Sequence, residues 1–256
     1  MLTALAGCDI HALVFIAEMY GVQLDQLAIV LGIPVERARQ VAARWRNLGL
    51  ADSARLGPGP PWVWVTRTGL AACGLRYPAA PPAPSRLAHI RAVTAVRLAL
   101  QATTAYQRAG ASWYGERRIL AEGRGGFLAH LPDGELHWPP GAAVSWAGEC
   151  WAVQAVVART AAACAAGVMR DLLARAGDGC LSARPREPGR PPRYARAVYL
   201  CSAAALPAVV RARDELGRAG AQIEIRNLPA EAALPLPPAG VAAQQAAVPR
   251  VSRVRR

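Results

Sequence analysis

Residues 23–48, QLDQLAIVLGIPVERARQVAARWRNL, restrict what this chain can fold into more than any other stretch. Leu24, Leu27, Ala28 and Leu31 recur at helical spacing and put apolar groups on one face. Gly32-Ile33-Pro34 breaks that helix, since proline has no amide hydrogen to donate and its ring clashes with the preceding turn. A second amphipathic run starts at Val35, with Ala38, Val41, Ala42, Trp45 and Leu48 as its apolar stripe. Its other face carries Arg37, Arg39, Gln40, Arg44, Arg46 and Asn47, whose donors suit phosphates and purine edges. Two helices in this relation predict a helix-turn-helix whose second helix sits in a major groove.

The flanks extend the motif. Residues 9–20 (DIHALVFIAEMY) supply a preceding helix, with Asp9 as its expected cap. After Leu48-Gly49-Leu50 the chain turns extended, and residues 50–56 and 62–66 read as two strands joined by Gly57-Pro58-Gly59-Pro60-Pro61. Three helices and a hairpin predict a winged helix over residues 1–77, in which a short helix starts at Thr66 after the hairpin. On this reading Arg37, Gln40 and Arg44 follow one another up a single face as base-reading candidates. Arg39, Arg46, Arg55 and Arg67 are expected to hold phosphates of double-stranded DNA. A winged helix that binds only protein is the alternative.

Composition narrows the function classes. A chain of 256 residues has room for two cores. It contains no apolar run long enough to cross a bilayer, and no basic segment precedes an apolar one at its start, so a cytoplasmic protein is expected. Six cysteines at 8, 73, 150, 164, 180 and 201 form no CxxC pair; reduced core thiols are expected, with no zinc site, other metal site or cofactor. All thirty cationic residues are arginine. Net charge is +2 over residues 1–78, +5 over 79–128, −2 over 129–182 and +8 over 183–256. Such a balance favours polyanionic partners and salt-sensitive binding.

Residues 78–85, rich in proline and alanine, read as a semi-rigid linker. Residues 86–106 form the next helix, with Leu87, Ile90, Val93, Thr94, Arg97 and Leu98 as its stripe and His89 as a packing or capping residue. Residues 127–131 and 135–138 read as strands joined by a Pro132-Asp133-Gly134 turn. Residues 151–157, 195–202 and 222–226 are further strands, and residues 160–176 and 206–219 are helices. Residues 184–193 form a basic loop, and residues 228–256 a disordered basic tail. The second domain, 86–227, is therefore an α/β sandwich with a mixed sheet, and the chain as a whole is α+β.

A winged helix, a proline-bearing linker, a helix with His89, Trp113 with Glu116-Arg117, Pro132-Asp133-Gly134 and the strand Trp151-Ala152-Val153 together resemble the replication-relaxation proteins of Gram-positive plasmids and integrative elements. The resemblance covers residues 9 to about 226 and rests on order and spacing. It implies a DNA-binding accessory factor in replication, relaxation or conjugative transfer, with a relaxase or replication initiator, or a second copy of the chain, as candidate protein partners. It also implies a second domain similar to the PD-(D/E)xK nuclease core, that is, a restriction-endonuclease-like α/β domain.

Such a core needs acids around a divalent ion and a lysine beside the attacked phosphate. Asp133 and the upstream Glu116 are the candidate acids. The strand that should carry Glu-x-Glu instead reads Gln154 and Val156, and the chain has no lysine. Arg159 lies nearby, but its very high pKa suits it to holding a phosphate and not to moving a proton. Glu149, two residues before the strand, is a poor substitute acid. The expectation is a degenerate, non-catalytic site at Glu116, Asp133 and Gln154. Gly123-Arg124-Gly125-Gly126 is a weak phosphate-loop candidate, lacking a strand-to-helix context. Two further readings stay open: a winged-helix transcriptional regulator whose second domain dimerises or senses an effector, and an active metal-dependent nuclease.

Overall fold

The computed structural model describes residues 7–123, 130–173 and 194–230. The expected strand at 127–131 falls mostly outside them, as do most of Gly123-Arg124-Gly125-Gly126, the 184–193 loop and almost all of the tail. The chain is mixed α/β, with a three-stranded antiparallel sheet and a five-stranded mixed sheet. Among the described residues no helix is long and apolar enough to cross a membrane.

The first half runs α1 (Gly7–Glu18), β1 (Val22–Gln23), α2 (Leu24–Leu31), α3 (Val35–Asn47), β2 (Ala51–Ala54), β3 (Trp62–Val65) and α4 (Arg67–Ala72). Gly32 ends α2 in the left-handed region at φ 64°, where its missing Cβ removes the usual steric cost. β2 and β3 form an antiparallel hairpin, and the two-residue β1 adds to β3's other edge, a pairing too short to show in the sequence pattern. The Thr66 hydroxyl caps α4 by accepting from the Gly69 amide. Asp9 is not the cap expected of it: it lies within α1, buried, and accepts from Arg44 and from the Trp45 indole N–H.

The second half begins with α5 (Leu87–Gln101), which ends before α6 (Thr104–Ala109) because Thr103 caps a new helix there. The expected single helix over 86–106 is thus two. β4 (Ser112–Gly115), α7 (Glu116–Ala121), β5 (Gly134–His137), β6 (Cys150–Val156), α8 (Ala162–Leu173), β7 (Arg196–Cys201), α9 (Leu206–Glu215) and β8 (Ile223–Asn227) follow. The sheet order is β4-β5-β6-β7-β8, antiparallel from β4 to β6 and parallel from β6 to β8, with α8 and α9 as crossovers. β5 therefore pairs with β4 and β6, and Asp133 is not the tip of a tight hairpin. Pro132, Asp133 and Gly134 are all buried at the entry to β5.

Gly134 is glycine for closeness and not for a bend. Its φ is not positive, and a Cβ built there would lie 2.0 Å from Cζ2 of Trp113, whose indole rests on the backbone.

One apolar cluster runs from Leu13, Ile16, Leu27 and Trp45 through Ala92 and Val96 of α5 to Leu136 and Val153 of the larger sheet. The opposite sheet face packs Ala152, Tyr199 and Ala197 on Ala166, Met169 and Val209 of α8 and α9. α5 is buried without a break from Ile90 to Arg97, so it has no solvent stripe through its middle and reads as a central strut.

Arginines close the seam between the halves. Arg97 pairs with Glu18 at 2.8 Å, both buried, and its guanidinium lies 4.1 Å from the Phe15 ring centroid. Arg91 meets Asp25 at 2.8 Å and donates to the Gln23 side chain, whose amide in turn donates to Pro58 and Pro60 carbonyls of the hairpin turn. Arg117 donates to the carbonyls of Ala17 and Pro78. Pro82 is buried, close to Gly21, so the 78–85 segment is laid against the body of the protein.

Candidate functional site

α3 carries the first candidate surface. Its first turn begins after Pro34, and Ala38, Ala42 and Trp45 turn inward; Trp45 is fully buried. Arg37, Arg39, Gln40, Arg44, Arg46 and Asn47 are all exposed. Arg37 donates to the Gln40 side chain at 2.8 Å, which joins two of the base-reading candidates on one face. Arg39 is paired with Glu36 at 3.2 Å, an exposed contact that a phosphate can displace.

Arg44 is held differently. It reaches back to the buried Asp9 at 2.5 Å, yet its side chain remains 52% exposed. The pair fixes α3 on α1 and restrains Arg44, so Arg44 is partly a positioning group where the sequence suggested a free base reader. Arg55 beyond β2 and Arg67 in the first turn of α4 are exposed as well.

The second candidate centre is a pocket lined by Tyr20, Arg86, His89, Glu116 and Asp133, at the junction of α1, α5 and the start of β5. Asp133 Oδ1 lies 2.6 Å from His89 Nε2, and Oδ2 accepts the Ala155 amide at 2.7 Å. Burial lowers the basicity of His89, but the hydrogen bond and charge of Asp133 outweigh it, leaving its pKa above the ordinary 6.5. Glu116, at the first position of α7, is bridged by Arg86 at 2.8 Å, and its amide donates to the Asp133 carbonyl. Arg86 lies 4.9 Å from the centroid of the Tyr20 ring.

Of the three degenerate-site residues, Glu116 and Asp133 thus line one pocket and Gln154 is not among its lining residues. Both carboxylate oxygens of Asp133 are engaged, one by a histidine and one by the backbone. Glu116 faces a guanidinium. Gln154 lies beside Tyr199 in the β6–β7 ladder, and among the described residues neither its Oε1 nor the Tyr199 hydroxyl has a hydrogen-bond partner. Burial, and then the charge of Asp133, push the Tyr199 phenol well above its ordinary value, which keeps it neutral. Glu149 lies near the opposite end of β6, where it accepts from the Trp151 indole at 2.6 Å and from Arg196 at 3.1 Å. It does not approach Asp133's end of the strand. Arg159 is exposed just past β6.

Sequence reasoning missed the His89–Asp133 pair because 44 residues separate the partners. It also missed a second cluster, Glu135, His137 and Cys150, whose ligating atoms lie within 4.8 Å of one another. The alternation of Glu135 and His137 on β5 was the available signal, but the register that brings Cys150 opposite His137 depends on which strands pair. Of the cysteines, Cys201 is buried and Cys73 and Cys150 are half-buried, whereas Cys164 is exposed, contrary to a core role.

Comparison with known proteins returns no matching family model, no similar curated protein and no similar solved structure.

Proposed function

We propose that the protein binds duplex DNA by docking α3 in a major groove, with the β2–β3 hairpin beside the adjacent backbone, and that its second half does not cut. The reading takes residues 7–72 as a winged helix. The succession α1, α2, α3, then an antiparallel hairpin, supports it. The observation that carries it is the division of α3: alanines and a tryptophan inward, four arginines and a glutamine outward.

The second half is taken as a nuclease-like sheet without its chemistry, because Asp133 is occupied by His89 and an amide, and Glu116 by Arg86. A role as accessory factor in replication, relaxation or transfer of a plasmid or integrative element, in company with a relaxase or initiator, rests on the resemblance alone.

The test is an anisotropy titration of the full chain on labelled duplexes at several salt concentrations. Arg37→Ala with Arg46→Ala should weaken binding roughly tenfold or more and lower the salt slope by about two. Unchanged affinity sinks the α3 assignment. A nicking assay in magnesium and manganese should be flat; cleavage abolished by Asp133→Asn would replace this reading with a nuclease. Protection of a palindrome ahead of the protein's own gene would favour the regulator reading over an accessory factor.

A further inference from the structure

The geometry points to a metal site at Glu135, His137 and Cys150 for a divalent ion of the zinc class. It stands whether or not α3 meets DNA. Glu135 and His137 are alternate residues of β5 and therefore project from the same side of the sheet, and Cys150 is the direct cross-strand partner of His137. The β-ladder itself brings an oxygen, a nitrogen and a sulfur to one point, where no loop has to close.

The distances suit a tetrahedral ion. Zinc bonds of about 2.0–2.1 Å to imidazole, about 2.3 Å to thiolate and about 2.0–2.2 Å to carboxylate imply a nitrogen-to-sulfur edge of about 3.6 Å and a nitrogen-to-oxygen edge of about 3.4 Å. His137 Nε2 lies 3.5 Å from Cys150 Sγ and 2.9 Å from Glu135 Oε2. Of these two edges the second must open, by about half an ångström, which a turn of the Glu135 carboxylate provides, and the third, from Glu135 to Cys150 Sγ, lies within 4.8 Å.

The surroundings supply what a ligand set needs. Glu135 is fully buried, and its other oxygen accepts from the Tyr194 hydroxyl at 2.7 Å, an outer contact that fixes the carboxylate. The His137 ring lies 4.5 Å from that of Tyr114, which sets the imidazole plane. The His137 side chain is 31% exposed, so the ion has an entry path and solvent can complete its coordination. A thiolate, an imidazole and a carboxylate select zinc, cobalt and their neighbours over magnesium or calcium, which prefer oxygen alone. Binding converts the Cys150 thiol to thiolate and releases its proton to solvent.

Cobalt(II) is the probe. The full-length, reduced protein should take up one equivalent with a thiolate-to-cobalt charge-transfer band in the near ultraviolet, and added zinc should erase the band. Cys150→Ser should abolish it, the exposed Cys164→Ser should leave it intact, and Tyr194→Phe should weaken cobalt binding about tenfold. Wild-type protein gives an independent readout, since zinc should protect Cys150 from alkylation as mapped by mass spectrometry. No band in the wild type, a band that survives Cys150→Ser, or Cys150 alkylated equally fast with and without zinc each overturns the site. If Cys150→Ser fails to fold by circular dichroism, the wild-type protection experiment decides alone.

Discussion

Two sets of arginines in this protein carry the same charge and do opposite things. Arg37, Arg39 and Arg46 on α3 are exposed, with partners that are weak or solvent. Arg91, Arg97 and Arg117 are buried in the seam between the halves, each tied to a carboxylate or to carbonyls. A guanidinium taken out of water needs its charge and donors answered, and removing the partner strands it. One left in water costs little and remains available to a phosphate. With no lysine in the chain, residue type says nothing about which role an arginine has. Burial and partner decide.

The contrast can be broken at its strong end first. Glu18→Ala should destabilise the protein by about 3–5 kcal/mol in denaturant unfolding, because it takes the carboxylate from the buried Arg97, and Arg97→Ala should cost less, because Glu18 keeps Arg118 at 3.7 Å. A loss below about 1 kcal/mol would mean the seam is hydrated. The α3 pair Arg37→Ala with Arg46→Ala should do the reverse, lowering duplex affinity roughly tenfold or more while shifting stability by no more than about 0.5 kcal/mol. If that double variant unfolds instead, those arginines belong with the seam.

His89 and Asp133 fall between the two sets. The folded-state pKa of His89 is raised, so the stability this pair adds is fully present below the unfolded value near 6.5 and is lost as pH rises through the folded one. Unfolding free energy measured between pH 6 and 9 should decline with pH in the wild type, and His89→Gln should remove that decline. An unchanged profile in the variant would assign the slope to another group. The smallest effect belongs to Glu36 and Arg39, where a double-mutant cycle should return about 0.3–0.5 kcal/mol of coupling and less in high salt.

How much of this was readable in advance depends on how far apart the interacting residues lie. The pair of helices α2 and α3 is written in local signals, Gly32 and Pro34 between two amphipathic runs, and both begin and end close to where those signals put them. The hairpin from β2 to β3 was likewise marked by its proline-glycine turn. β4 was not foreseen, since Trp113, Tyr114 and Gly115 offer too short an alternation to stand out before β5 is known to lie beside it. Arg97 was read as part of an apolar stripe and is indeed buried, but only the fold reveals Glu18 as the reason. Asp9 looked like a helix cap and serves Arg44 and Trp45, both 35 or more residues away. The candidate acids met a similar fate: their spacing was visible, and their engagement by His89 and Arg86 was not.

Gly134 also changes what a familiar tripeptide means. At a glycine needed for a left-handed bend, such as Gly110 at φ 64°, asparagine is a tolerable stand-in. At Gly134 even one methyl group would collide with the Trp113 indole, so tolerance there is set by clearance and not by torsion. The indole lies against the backbone next to Asp133, whose own carboxylate is held by His89 and the Ala155 amide. Trimming Trp113 to a smaller ring would leave unfilled the clearance that Gly134 keeps for it.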